Sequence, residues 1–258
     1  MELGIRGQRA LVTGSSRGIG RAAALALARE GARVAICARG SEDLDRALAE
    51  LHAISPGHVG VAVDLVEDGG PAKLLDALRD DFGMPEIVVH NLGATGGVRD
   101  PLPTVEQWRF LFRINFEVAA ELNATFVPAM VERGYGRICA ISSLAAFEVH
   151  GSIGYGAAKA ALTAYTRGLG RTYAGTGLVV TAIVPGVVMT EGGHWEQNLR
   201  NDPAYVEQYV RERLPRGVFG TAEEVAAAVV FLCSQHAVPF IGSIVPLEGG
   251  QARSFFGQ

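Results

Sequence analysis

Lysine is nearly missing from this sequence. Of its 23 basic residues only Lys73 and Lys159 are lysine, and the rest are arginine. Other shortages narrow what the chain can do. Its three cysteines, Cys37, Cys139 and Cys233, are odd in number, far apart and without CxxC or Cys/His spacing. That excludes a disulfide framework and predicts reduced core thiols. The six histidines form no HxxxH or HxH pair, so no metal is expected. No run of about 18 apolar residues occurs. The start, MELGIRGQRALVTG, lacks the apolar stretch of a signal peptide, which predicts a cytoplasmic protein. A net charge of −4 with interspersed signs leaves no basic footprint for nucleic acid or an anionic membrane. Small-molecule partners are expected instead. Without repeats, linkers or low-complexity runs, residues 1–258 are predicted to form one domain.

What is present is an alternation of strand and helix signals. Residues 9–13, RALVT, are an apolar run ending at Gly14, and TGSSRGIG then opens an Ala-rich helix closed by Gly31. Glycines 14, 18 and 20 permit a tight turn in which a pyrophosphate could approach a helix N-terminus. A second strand, RVAICAR, follows at βαβ distance and ends Ala38-Arg39-Gly40. An acid there would bond a ribose 2′-hydroxyl; instead Arg39, together with Arg17 in the turn, could clamp a 2′-phosphate. NADP(H) is therefore expected over NAD(H).

Ser41 is predicted to cap a helix over about 42–54, and HVGVAVDL forms a third strand ending at Asp64-Leu65. A helix over about 70–82 precedes strand EIVVHNLGA. Thr104 with Gln107 forms a capping box that starts a long helical stretch to about residue 133, containing Asn115. Strand GRICAIS delivers Ser142 and Ser143 to its C-terminal end, and a helix over 154–172 follows. Strand LVVTAIV runs into Pro185-Gly186. The polar, aromatic segment 190–217 interrupts the rhythm and reads as a substrate lid. Thr221 with Glu224 caps another helix, and PFIGSIVPL is the last strand. The pattern predicts an α/β, Rossmann-type doubly wound parallel sheet of about seven strands. Its site should lie at the strands' C-terminal ends.

The stretch 143–159, SLAAFEVHGSIGYGAAK, carries the chemistry. Tyr155 and Lys159, four apart, project from one helix face. A tyrosine titrates near about 10, and bringing it to neutrality takes roughly 4 kcal/mol of preferential phenolate stabilisation. A unit charge at about 4 Å and an effective dielectric near 20 supplies a similar amount. That the basic residue here is lysine, in so arginine-rich a chain, favours a specific role for a compact ammonium.

Taken together these motifs resemble the short-chain dehydrogenase/reductase family in its short cytosolic form, over essentially the whole chain. The cofactor turn matches at Gly14, Ser16, Arg17, Gly18, Ile19 and Gly20, the adenine contact at Asp64 and Leu65, and the NAG segment at Asn91, Leu92 and Gly93. The active site matches at Asn115, Ser143, Tyr155 and Lys159, and the PGxxxT loop at Pro185, Gly186 and Thr190. Two departures stand out: NNAG reads His90-Asn91-Leu92-Gly93, and Glu248 replaces a commoner aspartate before the final glycines.

The resemblance implies that Tyr155 exchanges a proton with the substrate oxygen while Ser143 holds the carbonyl. Lys159 would bind the nicotinamide ribose and lower the Tyr155 pKa, and Asn115 would hold a relay water. Val188 and Thr190 would face the carboxamide. It also implies a homo-oligomer, a tetramer or dimer, built on the helices around 104–133 and 154–172. The expected reaction joins a ketone and a secondary alcohol. Glu148, His150, His194 and Trp195 point to a sugar, cyclitol or other hydroxylated substrate. The alternatives are a 3-oxoacyl-acyl-carrier-protein reductase, for which Arg133 and Arg137 speak, and a non-catalytic NADPH-binding sensor or scaffold. The tail residues Phe255 and Phe256 are expected to close a neighbour's pocket or pack at an interface.

Overall fold

A computed structural model describes residues 1–148 and 151–253. The chain runs β1 (Arg9–Thr13), α1 (Gly18–Arg29), β2 (Arg33–Ala38), α2 (Ser41–Ile54), β3 (Val59–Ala62), α3 (Gly70–Asp81) and β4 (Ile87–His90). Then come α4 (Val105–Phe112), a π-helical turn (Arg113–Glu117), α5 (Val118–Arg133), β5 (Gly136–Ile141), α6 (Ile153–Thr172) and β6 (Leu178–Pro185). The last third holds β7 (Val188–Met189), α7 (His194–Asn201), α8 (Pro203–Arg213), β8 (Gly220–Thr221), α9 (Ala222–Leu232) and β9 (Ile244–Leu247).

Seven strands pair in parallel in the order β3-β2-β1-β4-β5-β6-β9. Chain order reverses between β1 and β4, so a crevice opens at the C-terminal ends of those two strands. Side chains alternate across the sheet as the strand period of two requires. Ala10 and Val12 of β1 face one core, with α1, α2 and α9, whereas Leu11 faces a second, with α3 and α5. Both faces are covered, and β4, β5 and β6 accordingly read as unbroken buried runs.

The predicted helix from 104 to about 133 is three pieces, because the π turn interrupts it at Asn115. Both capping boxes form, at Thr104/Gln107 and Thr221/Glu224. Ser41 does not cap α2: Gly40 is the capping residue, no side chain bonds there, and Glu42 and Asp43 in the first turn complement the dipole instead. The lid segment is largely helical, formed by α7 and α8, and residues 235–240, in part assigned to the last strand, form a 3₁₀ turn. No helix among the described residues is long and apolar enough to cross a membrane.

Phe126 on α5 is the bulkiest of the fully buried side chains in the second core. Phe126→Ala should cost about 3–5 kcal/mol through lost burial and a residual cavity. A melting temperature lower by roughly 10 °C would report it in a calorimeter.

Candidate active site

The glycine turn after β1 is held open from behind. Ser15 is buried, donates from Oγ to the Val12 carbonyl (2.7 Å) and accepts from Cys37 N (3.1 Å), which ties the turn to β2. Thr13 Oγ1 accepts from both Asn91 N and Leu92 N at 3.1 Å. The Asn91 side chain donates to the Thr13 and Gly14 carbonyls at 3.0 and 2.8 Å. Its amide therefore shapes the turn instead of projecting into the crevice. A Cβ on Gly20 would overlap that amide and stand 2.5 Å from the Gly14 carbonyl, so only glycine allows this approach. Gly14 and Gly18 have φ of 61° and 57°, in the left-handed region.

This cradle fits a dinucleotide. No side chain caps α1, so its first N–H groups point into the turn without a protein side-chain partner. Arg17 and Arg39 are exposed at the ends of β1 and β2, and no acid ends β2. Ser16 and Arg17 line a small cleft of about 170 Å³ with Arg21, Arg46 and Glu191. Arg21 is paired with Glu50 and Arg46 with Asp43. Asp64 turns its carboxylate onto Val66 N (2.9 Å), and Leu65 is buried in the second core. Leu92 also packs against that core.

Two of the four catalytic candidates, Asn115 and Lys159, meet at Gly93. A Cβ there would stand 2.7 Å from Asn115 Oδ1 and 2.8 Å from Lys159 Nζ. Asn115 exchanges two hydrogen bonds with the Ala94 backbone, at 3.0 and 2.9 Å, and donates to the Leu111 carbonyl at 2.9 Å. Its side chain thus pins the 91–94 loop. Holding a water, the role implied by resemblance, would fall to the backbone of the π turn, where the regular ladder is broken. Ser152 caps α6, its hydroxyl accepting from Tyr155 N (3.4 Å). A Cβ on Gly156 would lie 2.6 Å from the Ala145 carbonyl, so glycine lets α6 press against the turn after Ser143. Ser143 thereby hydrogen-bonds Tyr155. Ser142, the neighbouring hydroxyl after β5, is buried against α6, bonded to Thr163 Oγ1 (2.7 Å) and the Lys159 carbonyl (3.3 Å).

The electrostatics differ from the sequence expectation. Lys159 is 2% exposed and donates to the Ile141 carbonyl at 2.7 Å. Its ammonium lies 5.8 Å from the centre of the Tyr155 ring. Burial raises the Tyr155 phenol above its ordinary value, with the Ser143 hydrogen bond opposing. The ammonium itself is pushed down to about 8 by burial.

The loop after β6 approaches the glycine turn: a Cβ on Gly18 would touch Thr190 Cγ2 at 3.5 Å. Val188 lies in β7, paired with β8. Of the residues read as lining a substrate pocket, His150 lies outside the described residues, as do Phe255 and Phe256. Glu148 accepts from Arg253 N. His194 is exposed, and Trp195 packs on Tyr209 with ring centres 4.3 Å apart. Arg137 is buried, bonded to the Ser234, Gly136 and Gly177 carbonyls and stacked on Tyr135. Arg133 pairs with Glu86. Arg137 is therefore not the open surface cation that a carrier-protein partner would need, whereas Arg133, though paired, is exposed. Thr13, Ser15, Gly156 and Gln251 carry structural duties that no local pattern announces.

Residues 14–252 match the family model described as enoyl-(acyl carrier protein) reductase, and the chain belongs to the short-chain dehydrogenase/reductase family. It is 33% identical to the 3-oxoacyl-[acyl-carrier-protein] reductase FabG of Pseudomonas aeruginosa over 98% of this chain and all of that one. The L-sorbose reductase of Gluconobacter frateurii, solved with NADPH and L-sorbose, is 30% identical, with a TM-score of 0.91 over 99% of this chain and 100% of that one. A 3-oxoacyl (acyl-carrier-protein) reductase of Agrobacterium tumefaciens, solved with NADP, is 29% identical, with a TM-score of 0.89 over 96% and 95%.

Because Lys159 carries a depressed pKa, the unfolded chain binds more protons between about pH 8 and the ordinary lysine value, and stability rises with pH across that window. Below it the buried charge is a standing cost. Lys159→Met should therefore stabilise the protein by about 1–2 kcal/mol at pH 7, net of the lost Ile141 bond, while abolishing turnover. The gain should shrink toward pH 10. Melting curves at pH 7 and 10 decide it: an equal or larger gain at pH 10 would contradict the assignment.

Proposed function

We propose that this protein is an NADP(H)-dependent oxidoreductase that interconverts a ketone and a secondary alcohol on a small hydroxylated substrate such as a sugar or cyclitol. The observation that carries this reading is the pairing of Asn115 and Lys159 about Gly93, with Tyr155 one helical turn before Lys159 and hydrogen-bonded to Ser143, beside the crevice where chain order reverses. NADP(H), when bound, supplies or takes up the hydride. The turn from Gly14 through Ser16, Arg17, Gly18 and Ile19 to Gly20 would hold its phosphates, with Arg39 beside the 2′-phosphate. Asp64, Leu65, Gly93 and the Pro185–Thr190 loop, including Gly186 and Val188, would frame the rest. The relatives solved with NADP or NADPH support this choice of cofactor.

The chain's own residues handle the proton. The Tyr155 phenol stays protonated through neutrality, so it can give its proton to the substrate oxygen as negative charge develops there. Ser143 orients that oxygen beside the phenol. The Lys159 ammonium, close to Gly93, stabilises the phenolate left behind and orients the ribose. Because its charge is lost as pH rises through about 8, reduction should slow across that range. A small substrate is favoured over an acyl-carrier-protein thioester because Arg137 is buried against backbone carbonyls and Arg133, though exposed, is paired with Glu86. We also infer a homo-oligomer, since Leu102, Val105 and Ile153, at and before the starts of α4 and α6, are exposed apolar residues. A monomer in light scattering would remove that inference.

The test is a titration with NADPH and NADH, followed by a carbonyl panel of ketoses, cyclitol ketones and an acetoacetyl thioester. NADPH should bind about 10- to 100-fold more tightly, and Arg39→Ala should erase most of the difference. Tyr155→Phe should bind NADPH as before and lose turnover by at least about 10³-fold. Thioester turnover in preference to the ketoses would move the assignment to a carrier-protein reductase. Tight NADPH binding with no hydride transfer to any carbonyl would indicate a sensor.

A further inference from the structure

Gln251 lies outside every motif that marks the site, yet it is 6% exposed and both ends of its amide are used. Its Oε1 accepts from Val187 N at 3.0 Å, and its Nε2 donates to the Tyr209 hydroxyl at 3.1 Å. A Cβ on Gly186 would stand 2.6 Å from that Oε1, so the glycine of the Pro185-Gly186 pair makes the room the amide occupies. On the lid side, Tyr209 packs against Trp195, which also meets Tyr205 and Phe219 with ring centres 6.3 and 5.1 Å away. The α7–α8 lid is thus a small aromatic cluster, and a hydrogen bond to one of its rings restrains the whole. The backbone around Gln251 is fixed in turn: Gln251 N donates to the Glu248 carbonyl (3.1 Å), Ala252 N to the Glu248 carboxylate (2.7 Å), and Arg253 N to Glu148, in the turn after Ser143.

We propose that Gln251 is a positioning residue that locks the lid to the loop carrying Val188 and Thr190, so that lid closure over substrate and ordering of that loop are one event. The roles of lid and loop rest on the function proposed above; the lock itself is a property of two side chains and one backbone N–H. One uncharged amide suits it because it offers an acceptor to the loop and a donor to the lid at the same time. Breaking either half frees the lid without removing any residue that touches the reacting atoms.

The chain has two tryptophans, so a Trp108→Phe background leaves Trp195 as the sole reporter in the lid. In that background Gln251→Leu removes both bonds and Tyr209→Phe removes only the lid bond, keeping its ring. Gln251→Glu retains both, because its carboxylate accepts from Val187 N and from the tyrosine hydroxyl. Without cofactor, tryptic cleavage after Arg200, Arg211 and Arg213 should be about five- to tenfold faster in the first two variants, with Trp195 more open to acrylamide. Gln251→Glu should stay near the parent. Parental cleavage and quenching in Tyr209→Phe, which leaves the packing intact and decides the matter should Gln251→Leu not fold, would overturn the lock. On adding NADPH, Trp195 in the parent should become less accessible to acrylamide. Tyr209→Phe should bind NADPH within about twofold of the parent and lose that response. A response retained in the variant, or missing in a parent that binds NADPH, would overturn the coupling. A parent that binds no NADPH sinks the proposed function instead, while the digestion still decides the lock.

Discussion

The site depends on keeping one ammonium out of water. Lys159 is almost wholly buried, bonded to the Ile141 carbonyl, and burial alone drags its pKa down by more than two units to about 8. A charge in that position is tolerated only where its surroundings cannot rearrange. The neighbourhood is stiff on every side: Thr163 and Ser142 bond the Lys159 backbone carbonyl, and Asn115 clamps the Ala94 backbone. Residue 93 can be nothing larger than glycine. Arginine, which the chain prefers elsewhere, would bring a planar fork that one carbonyl cannot satisfy.

The π turn is the device that brings Asn115 to this point. One widened turn between α4 and α5 breaks the helical ladder, and the Asn115 amide can then serve both Leu111 and Ala94. The same stretch connects the exposed capping box at Thr104 with the deeply buried Leu122 and Phe126. A regular helix over the whole length would keep its backbone bonds but rotate one of those faces away from its partner. The irregularity is therefore where function and packing are reconciled, as at many functional sites.

Most of the frame was legible in the sequence because its signals are local. Apolar runs ending in glycine, capping boxes four residues long, and a Tyr and Lys one turn apart each specify structure without distant partners. What escaped was tertiary. Asn91 matches a cofactor motif, but its amide is turned back on the Thr13 and Gly14 carbonyls at the end of the neighbouring strand β1. Arg137 looks like a surface cation and is instead buried against three carbonyls. Ser41 had the right side chain one residue too late, since the backbone already turns at Gly40. The Tyr155 pKa departs from the expectation for the same reason: spacing gives the distance between two groups along a helix, but not the desolvation that disfavours both charged forms.

Distance in sequence is also why the two ends of the chain meet unannounced. Gly18 near the N-terminus lies close enough to Thr190 that a Cβ there would be in contact with it, and Gln251 near the C-terminus holds Val187, so the short loop after β6 is approached from one side and gripped from the other. Neither is an apolar contact of the kind that periodicity reveals. One is a glycine made to receive a methyl group, and the other is a single amide in a space left by another glycine. The loop has little secondary structure of its own beyond a two-residue strand, and its order must come from these partners. A surface loop so placed can be firm enough to frame a ligand while remaining linked to the α7–α8 segment, which a loop built into the sheet could not do.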